Sequence, residues 1–201
     1  DGVDVHLTQG NTFENDDNLA ESALNQLRER YAGTRLGRQE LYAELLQDIE
    51  GALWSYSFLE RSRIQKDSLP ELERIVVAID PAVTASEDSD ETGIIVAGKG
   101  FDNRYYIVDD CSVRMSPDGW GRLAIDMFYK YQADRIVAEV NNGGDLVEGL
   151  LRNIDNTVPY TPVRASRGKL VRAEPIAALY EQGKVSHVGM FKELEDQLCS
   201  Y

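Results

Sequence analysis

The sequence has 201 residues, 42% of them apolar and 28% charged, a balance that supports a packed core and excludes a chain disordered throughout. A formal charge of −14 excludes a surface coated uniformly for nucleic acid, but not a local basic groove or acids that meet phosphate through metal ions. No apolar run approaches the ~18 residues of a membrane span, no signal peptide opens the chain, and Cys111 and Cys199 lie outside any disulfide or zinc spacing, so a reducing cytoplasm is the expected setting.

The chain begins at Asp1 and reads as a piece of something longer. In its first part, "DDNLAESALNQLRERY" places Leu19, Ala23, Leu24, Leu27 and Tyr31 at helical spacing, and "GRQELYAELL" repeats the pattern with Leu41, Tyr42 and Leu45. A charged connection containing proline, "QKDSLPELE", follows. These features predict a small helical module over 1–66 and a second domain over 67–201.

The periodicity changes at Arg74. "RIVVAI", "TGIIVAG" and "RYYIVDD" are β-branched or aromatic runs bounded by turn residues, which predicts three consecutive strands. "SPDGWGRLAIDMFYKYQ" predicts a helix with Ser116 as N-cap, Pro117 in the first turn, and an apolar face of Trp120, Leu123, Ala124, Met127, Phe128 and Tyr131. "DRIVAEV" (134–140) predicts a fourth strand, "DLVEGLLRNI" (145–154) a helix and "PYTPVRA" (159–165) a fifth strand. Helices are expected around "EPIAALYEQG", closed by Gly183, and over "GMFKELEDQL".

An uninterrupted strand trio pairs as an antiparallel meander, and strands joined through helices pair in parallel. The expected fold is therefore α/β, a ribonuclease-H-like mixed five-stranded sheet flanked by helices and preceded by the helical module. That arrangement serves nucleases, transposases and actin-like ATPases alike, so the site must decide the function.

Two acids sit where such a sheet would bring them together. Asp80 ends the first strand and Glu139 lies in the fourth, inside the otherwise apolar "IVAEV". A lone carboxylate in an apolar strand has no cheap structural reason, and two adjacent carboxylates repel unless a cation lies between them. Hard oxygen donors without histidine or cysteine select Mg2+ or Mn2+, and two such ions suit phosphodiester hydrolysis. Asp90, in the acidic loop "ASEDSDETG", is a candidate outer ligand, while Glu87, Asp88 and Glu91 read as solvated acids. Asp145 reads as a helix N-cap, and His6 and His187 as surface or hydrogen-bonded residues.

"VRASRGKLVRA" (163–173) carries Arg164, Arg167, Lys169 and Arg172 without an acid. The segment reads as a clamp for the phosphate backbone, indifferent to base sequence. The competing reading is a basic surface pairing with acids elsewhere. Its position relative to the acidic pair decides between them.

The runs "GNTFENDDNLAESALNQLRERYAGTRLGRQELYAELL", "GALW", "VVAIDPAVTASEDSDETGIIVAG", "VAEVNNGGDLV" and "VRASRGKLVRAEPIAALYEQGKVSHVG" together resemble the large subunit of tailed-bacteriophage terminases. The resemblance implies a C-terminal nuclease domain that cuts concatemeric double-stranded DNA with two divalent ions, preceded by the end of an ATPase part and its linker. It matches Asp80 and Glu139 to the first two acids of a catalytic triad and places "SRGKLVRAEP" near the active site, with Lys169 and Arg172 on phosphate. Portal protein and terminase small subunit are the partners it implies, with no membrane. No GxxxxGK[ST] phosphate loop occurs, so ATP hydrolysis is not expected of these residues. The family's third acid falls in a "PDRxDA"-like segment that these residues do not include, which implies weak metal binding and slow cutting by them alone.

Two rival readings remain. An actin-like or sugar-kinase ATPase half-domain shares the strand order but needs a glycine-rich turn after the first acid, and "DPAVTASEDS" offers none. A non-catalytic docking module of a packaging motor fits residues 1–66 only.

Overall fold

The computed structural model describes residues 52–82, 91–140, 144–165 and 167–200. The chain divides into two compact units, one being Ser62–Leu194, the other including residues 52–61 and 195–200 among those described. The helices predicted within the first 50 residues lie outside the described residues.

In the second of these units, α1 (Tyr56–Ser62) begins, and the Tyr56 hydroxyl donates to Asp196 at 2.8 Å. Asp196 lies in the C-terminal helix α5 (Lys192–Cys199).

The Ser62–Leu194 unit is built on β1 (Leu72–Asp80), β2 (Gly93–Gly100), β3 (Tyr105–Asp110), β4 (Arg135–Glu139), β5 (Tyr160–Val163) and β6 (Val185–His187). Helix α2 (Pro117–Lys130) joins β3 to β4, α3 (Gly144–Ile154) joins β4 to β5, and α4 (Lys169–Glu181) joins β5 to β6. The sheet order is β5-β4-β1-β2-β3-β6. β1, β2 and β3 form the antiparallel meander, β4 and β5 add in parallel beside β1, and β6 adds in parallel beside β3.

The mixed α/β fold agrees with the sequence expectation except in strand number: the sheet has six strands, not five. Val185, Ser186 and His187 are all buried. Their strand is three residues long and two of them are polar, so it lacks the apolar alternation that marks a strand in sequence. It is held instead by its neighbours. Tyr105 N–H donates to the Lys184 carbonyl at 2.8 Å, and Val188 N–H to the Ile107 carbonyl at 2.9 Å.

Alternation in the central strands sets up the core. Val77 and Ile79 of β1, Ile94 and Val96 of β2, and Ile136 and Ala138 of β4 are buried on one face. Helix α2 covers that face with Trp120, Ala124 and Ile125, and α3 adds Val147 and Leu151. Full burial of a side chain such as Ile136 contributes roughly 1.5–3 kcal/mol. Ser116 caps α2 as expected, its Oγ accepting from Gly119 N–H at 3.3 Å. Gly121 lets α2 and α3 close, since a Cβ there would lie 2.9 Å from Ile154 Cδ1.

Helix α4 begins at Lys169, five residues before the predicted start near Glu174. The helix runs through Pro175. Gly183, at φ +66°, terminates the helix in the left-handed conformation that glycine adopts without strain. Cys111 and Cys199 are free thiols. No helix among the described residues is long and apolar enough to cross a membrane.

Candidate active site

Asp80 and Glu139 are brought together by the parallel pairing of β1 with β4. The register runs Val76 to Arg135, Val77 to Ile136, Ala78 to Val137 and Ile79 to Ala138. Asp80 and Glu139 are the next residues on the two strands, at the same carboxyl edge. Neighbouring strands lie about 4.8 Å apart, which puts the two acids side by side. Each follows a core residue, Ile79 or Ala138, so both face away from the side covered by α2 and α3.

The strand ends are fixed from both flanks. Asp80 pairs across β2 with Gly93, and beyond Pro81 the Ala82 N–H donates to Oγ1 of the buried Thr92 at 3.2 Å. Glu139 is in register with Val163 of β5, and the next N–H, of Val140, donates to the Val163 carbonyl at 2.8 Å. Asp80 is exposed and Glu139 half-buried. The sheet thus holds both acids at adjacent strand ends.

The basic segment reaches the same edge. Arg164 directly follows β5, and Arg164, Arg167 and Lys169 are all exposed. Arg172, in the first turn of α4, points to the acids. Its Nη1 donates to Glu139 Oε2 at 2.8 Å and its Nη2 to Oε1 at 3.2 Å. This is a two-pronged guanidinium–carboxylate pair, partly shielded from water, of the geometry that makes such contacts strong. Sequence reasoning placed Arg172 near the site but did not foresee this pair, because 33 residues separate the partners and only the chain path from β5 into α4 joins them.

Two further acids share the edge and have local partners. Asp109 accepts from the Tyr131 hydroxyl and from Lys130 Nζ, the latter at 3.3 Å. Burial pushes its carboxyl up, but these hydrogen bonds outweigh it and hold the group below the usual carboxylate range. Burial, with the Asp109 charge beside it, raises the Cys111 thiol to about 11. Asp110 accepts from the Ser112 hydroxyl at 2.6 Å and its N–H at 3.1 Å, a local turn.

Among the described residues no group of three His, Cys, Asp or Glu is placed to hold a metal ion. Asp80 and Glu139 nonetheless fit a divalent cation by chemistry, as two hard oxygen-donor acids on adjacent strand ends, although both oxygens of Glu139 are engaged by Arg172. Asp90, the expected outer ligand, lies outside the described residues, as do Glu87 and Asp88. The side chain of Asp145 is likewise not described. His187 is fully buried in β6, where its Nε2 lies 2.7 Å from the Tyr180 hydroxyl, far in role from the acidic edge.

A six-stranded mixed sheet with paired acids at the carboxyl edge of its central parallel strands defines a ribonuclease-H-like domain. The model of the terminase RNaseH-like domain family matches residues 77–200, and the chain belongs to that family.

Among solved structures, the large terminase from a thermophilic bacteriophage, in complex with ATP-gamma-S, has a TM-score of 0.57 at 14% identity, with 92% of this chain and 46% of that one covered. The nuclease domain of the large terminase subunit gp2 of bacterial virus Sf6 has a TM-score of 0.54 at 12% identity, with 74% and 80% covered. A mutant of that domain with manganese and beta-thujaplicinol gives 0.53 at 12% identity, over the same shares. At these identities the likeness is one of fold. The chain spans about half the length of the thermophilic phage terminase. No curated protein matches.

Proposed function

We propose that this domain is a metal-dependent endonuclease of a viral DNA-packaging terminase, cutting concatemeric double-stranded DNA. The observation that carries the reading is the side-by-side placement of Asp80 and Glu139 at the carboxyl ends of β1 and β4. Manganese in the related Sf6 domain supports the choice of ion.

Asp80 and Glu139 would hold Mg2+ or Mn2+, with Asp90 as a further ligand from the loop after β1. Two bound ions would supply an activated water and charge stabilisation at the leaving oxygen. The chain's own groups do the rest. The sheet edge holds the backbone of both acids in fixed positions, so the two carboxylates start from adjacent strand ends. Arg164, Arg167 and Lys169 draw the phosphate backbone to that edge without reading bases, which suits an enzyme that cuts unrelated sequences. Arg172 balances the charge of Glu139.

Residues 1–66, in this reading, are the end of an ATPase part and its linker. In the assembled motor the partners would be portal protein and terminase small subunit, in the cytoplasm of the bacterial host.

Calorimetric titration with Mn2+ tests the metal assignment. The wild-type chain is expected to bind, and Asp80→Asn and Glu139→Gln to bind at least about tenfold more weakly while remaining folded. Equal binding by all three would contradict it.

A further inference from the structure

We propose that Arg172 is a latch on Glu139, occupying the carboxylate until metal and DNA displace it, so that ion loading and DNA binding are coupled. The inference rests on the metal-site reading above and adds its regulation. Both oxygens of Glu139 face the guanidinium, at 2.8 and 3.2 Å. A divalent ion needs at least one of those oxygens, and its charge repels the guanidinium. The two cations therefore compete for one carboxylate.

The helix that carries Arg172 is built to release it. Pro175 has no N–H to donate to the Val171 carbonyl, so the hydrogen-bond ladder of α4 is interrupted one turn beyond Arg172. Before that point Lys169, Leu170, Val171 and Glu174 are exposed. After it Ala177 and Tyr180 are buried, and Tyr180 meets His187 at 2.7 Å. The first turn can swing about Pro175 while the second half stays anchored.

Where the guanidinium goes follows from its neighbours. Lys169 shares its helical turn and is exposed, as are Arg164 and Arg167 just before the helix. A duplex drawn to these side chains offers pairs of phosphate oxygens to which the two-pronged guanidinium donates as it does to a carboxylate. Moving Arg172 from Glu139 to phosphate frees the carboxylate as substrate arrives. DNA then tightens metal binding, and by reciprocity metal tightens DNA binding.

Calorimetry with Ca2+, a hard cation that takes the same carboxylate oxygens, tests this on the whole chain. Without DNA, Arg172→Gln is expected to bind Ca2+ roughly five- to tenfold more tightly than wild type, with Arg172→Lys between them. A saturating short duplex should tighten the wild type by a similar factor and leave Arg172→Gln nearly unchanged. Weaker binding by Arg172→Gln would overturn the latch, showing that the arginine only holds Glu139 in place for the ion. Equal affinities in wild type and variant would overturn the latch alone, whereas no binding by either would overturn the metal site and the latch with it. If Arg172→Gln fails to fold, Arg172→Lys decides by the same criterion, and affinity no higher than wild type refutes the proposal.

Discussion

At the scale of single residues, the site turns on charge held in close quarters. Asp80 is exposed and Glu139 is paired with Arg172, so on the proposed reading Asp80→Asn is expected to leave the thermal midpoint nearly unchanged while abolishing cutting, a combination read by a melting curve beside a cleavage assay. Asp109 makes the opposite case, a carboxylate stabilised by its partners. Its folded pKa lies below the unfolded value, so its contribution is present above about pH 4 and is lost as pH falls through the folded pKa. Asp109→Asn should therefore cost about 1 kcal/mol at neutral pH and flatten the acid limb of the stability profile, both measurable by urea unfolding across the acid range. An unchanged profile would show that Tyr131 and Lys130 contribute nothing net. The pair of acids was legible in the sequence because a carboxylate inside "IVAEV" and another at the end of "VVAID" conflict with the local apolar pattern. The arginine that meets one of them was not, because nothing in a basic run says which of its members faces inward.

At the scale of elements, the meander, the helix after Ser116 and the two parallel additions follow directly from periodicity and caps. β6 does not, because its burial comes from Tyr105, Ile107 and the segment at Ile64 rather than from its own apolarity. The start of α4 falls inside the basic segment, which reads in sequence as the approach to that helix rather than as part of it. Pro175 separates the turn bearing Arg172 from the half that carries the buried Ala177 and Tyr180. Packing between α2 and α3 offers a test of the core. Gly121→Val would drive its side chain into Ile154 and Leu150, and a loss of about 1–3 kcal/mol is expected by denaturant unfolding. A neutral effect would mean that the helices separate at little cost.

At the scale of the molecule, the proposed function asks a chain of net charge −14 to meet a polyanion, and in that proposal the contact falls to Arg164, Arg167 and Lys169, which are exposed beside the acidic edge. Lys169→Ala is accordingly expected to weaken duplex affinity equally for unrelated sequences and to lower the slope of log affinity against log salt by about 0.9, as seen by anisotropy across a salt series. A loss confined to particular sequences would indicate base reading instead. The strand order alone does not separate a nuclease from an ATPase half-domain. The acids at adjacent strand ends, with a basic segment beside them, favour the first.

The central claim is that Asp80 and Glu139 together form a metal-dependent DNA-cutting centre. Relaxation of supercoiled plasmid by this chain, with Mg2+, Mn2+ or chelator, and by its Asp80→Asn and Glu139→Gln variants, tests it most directly. The account predicts nicking that requires the ion, vanishes with chelator and is absent from both variants. Nicking undiminished in either folded variant, or undiminished by chelator, would contradict it.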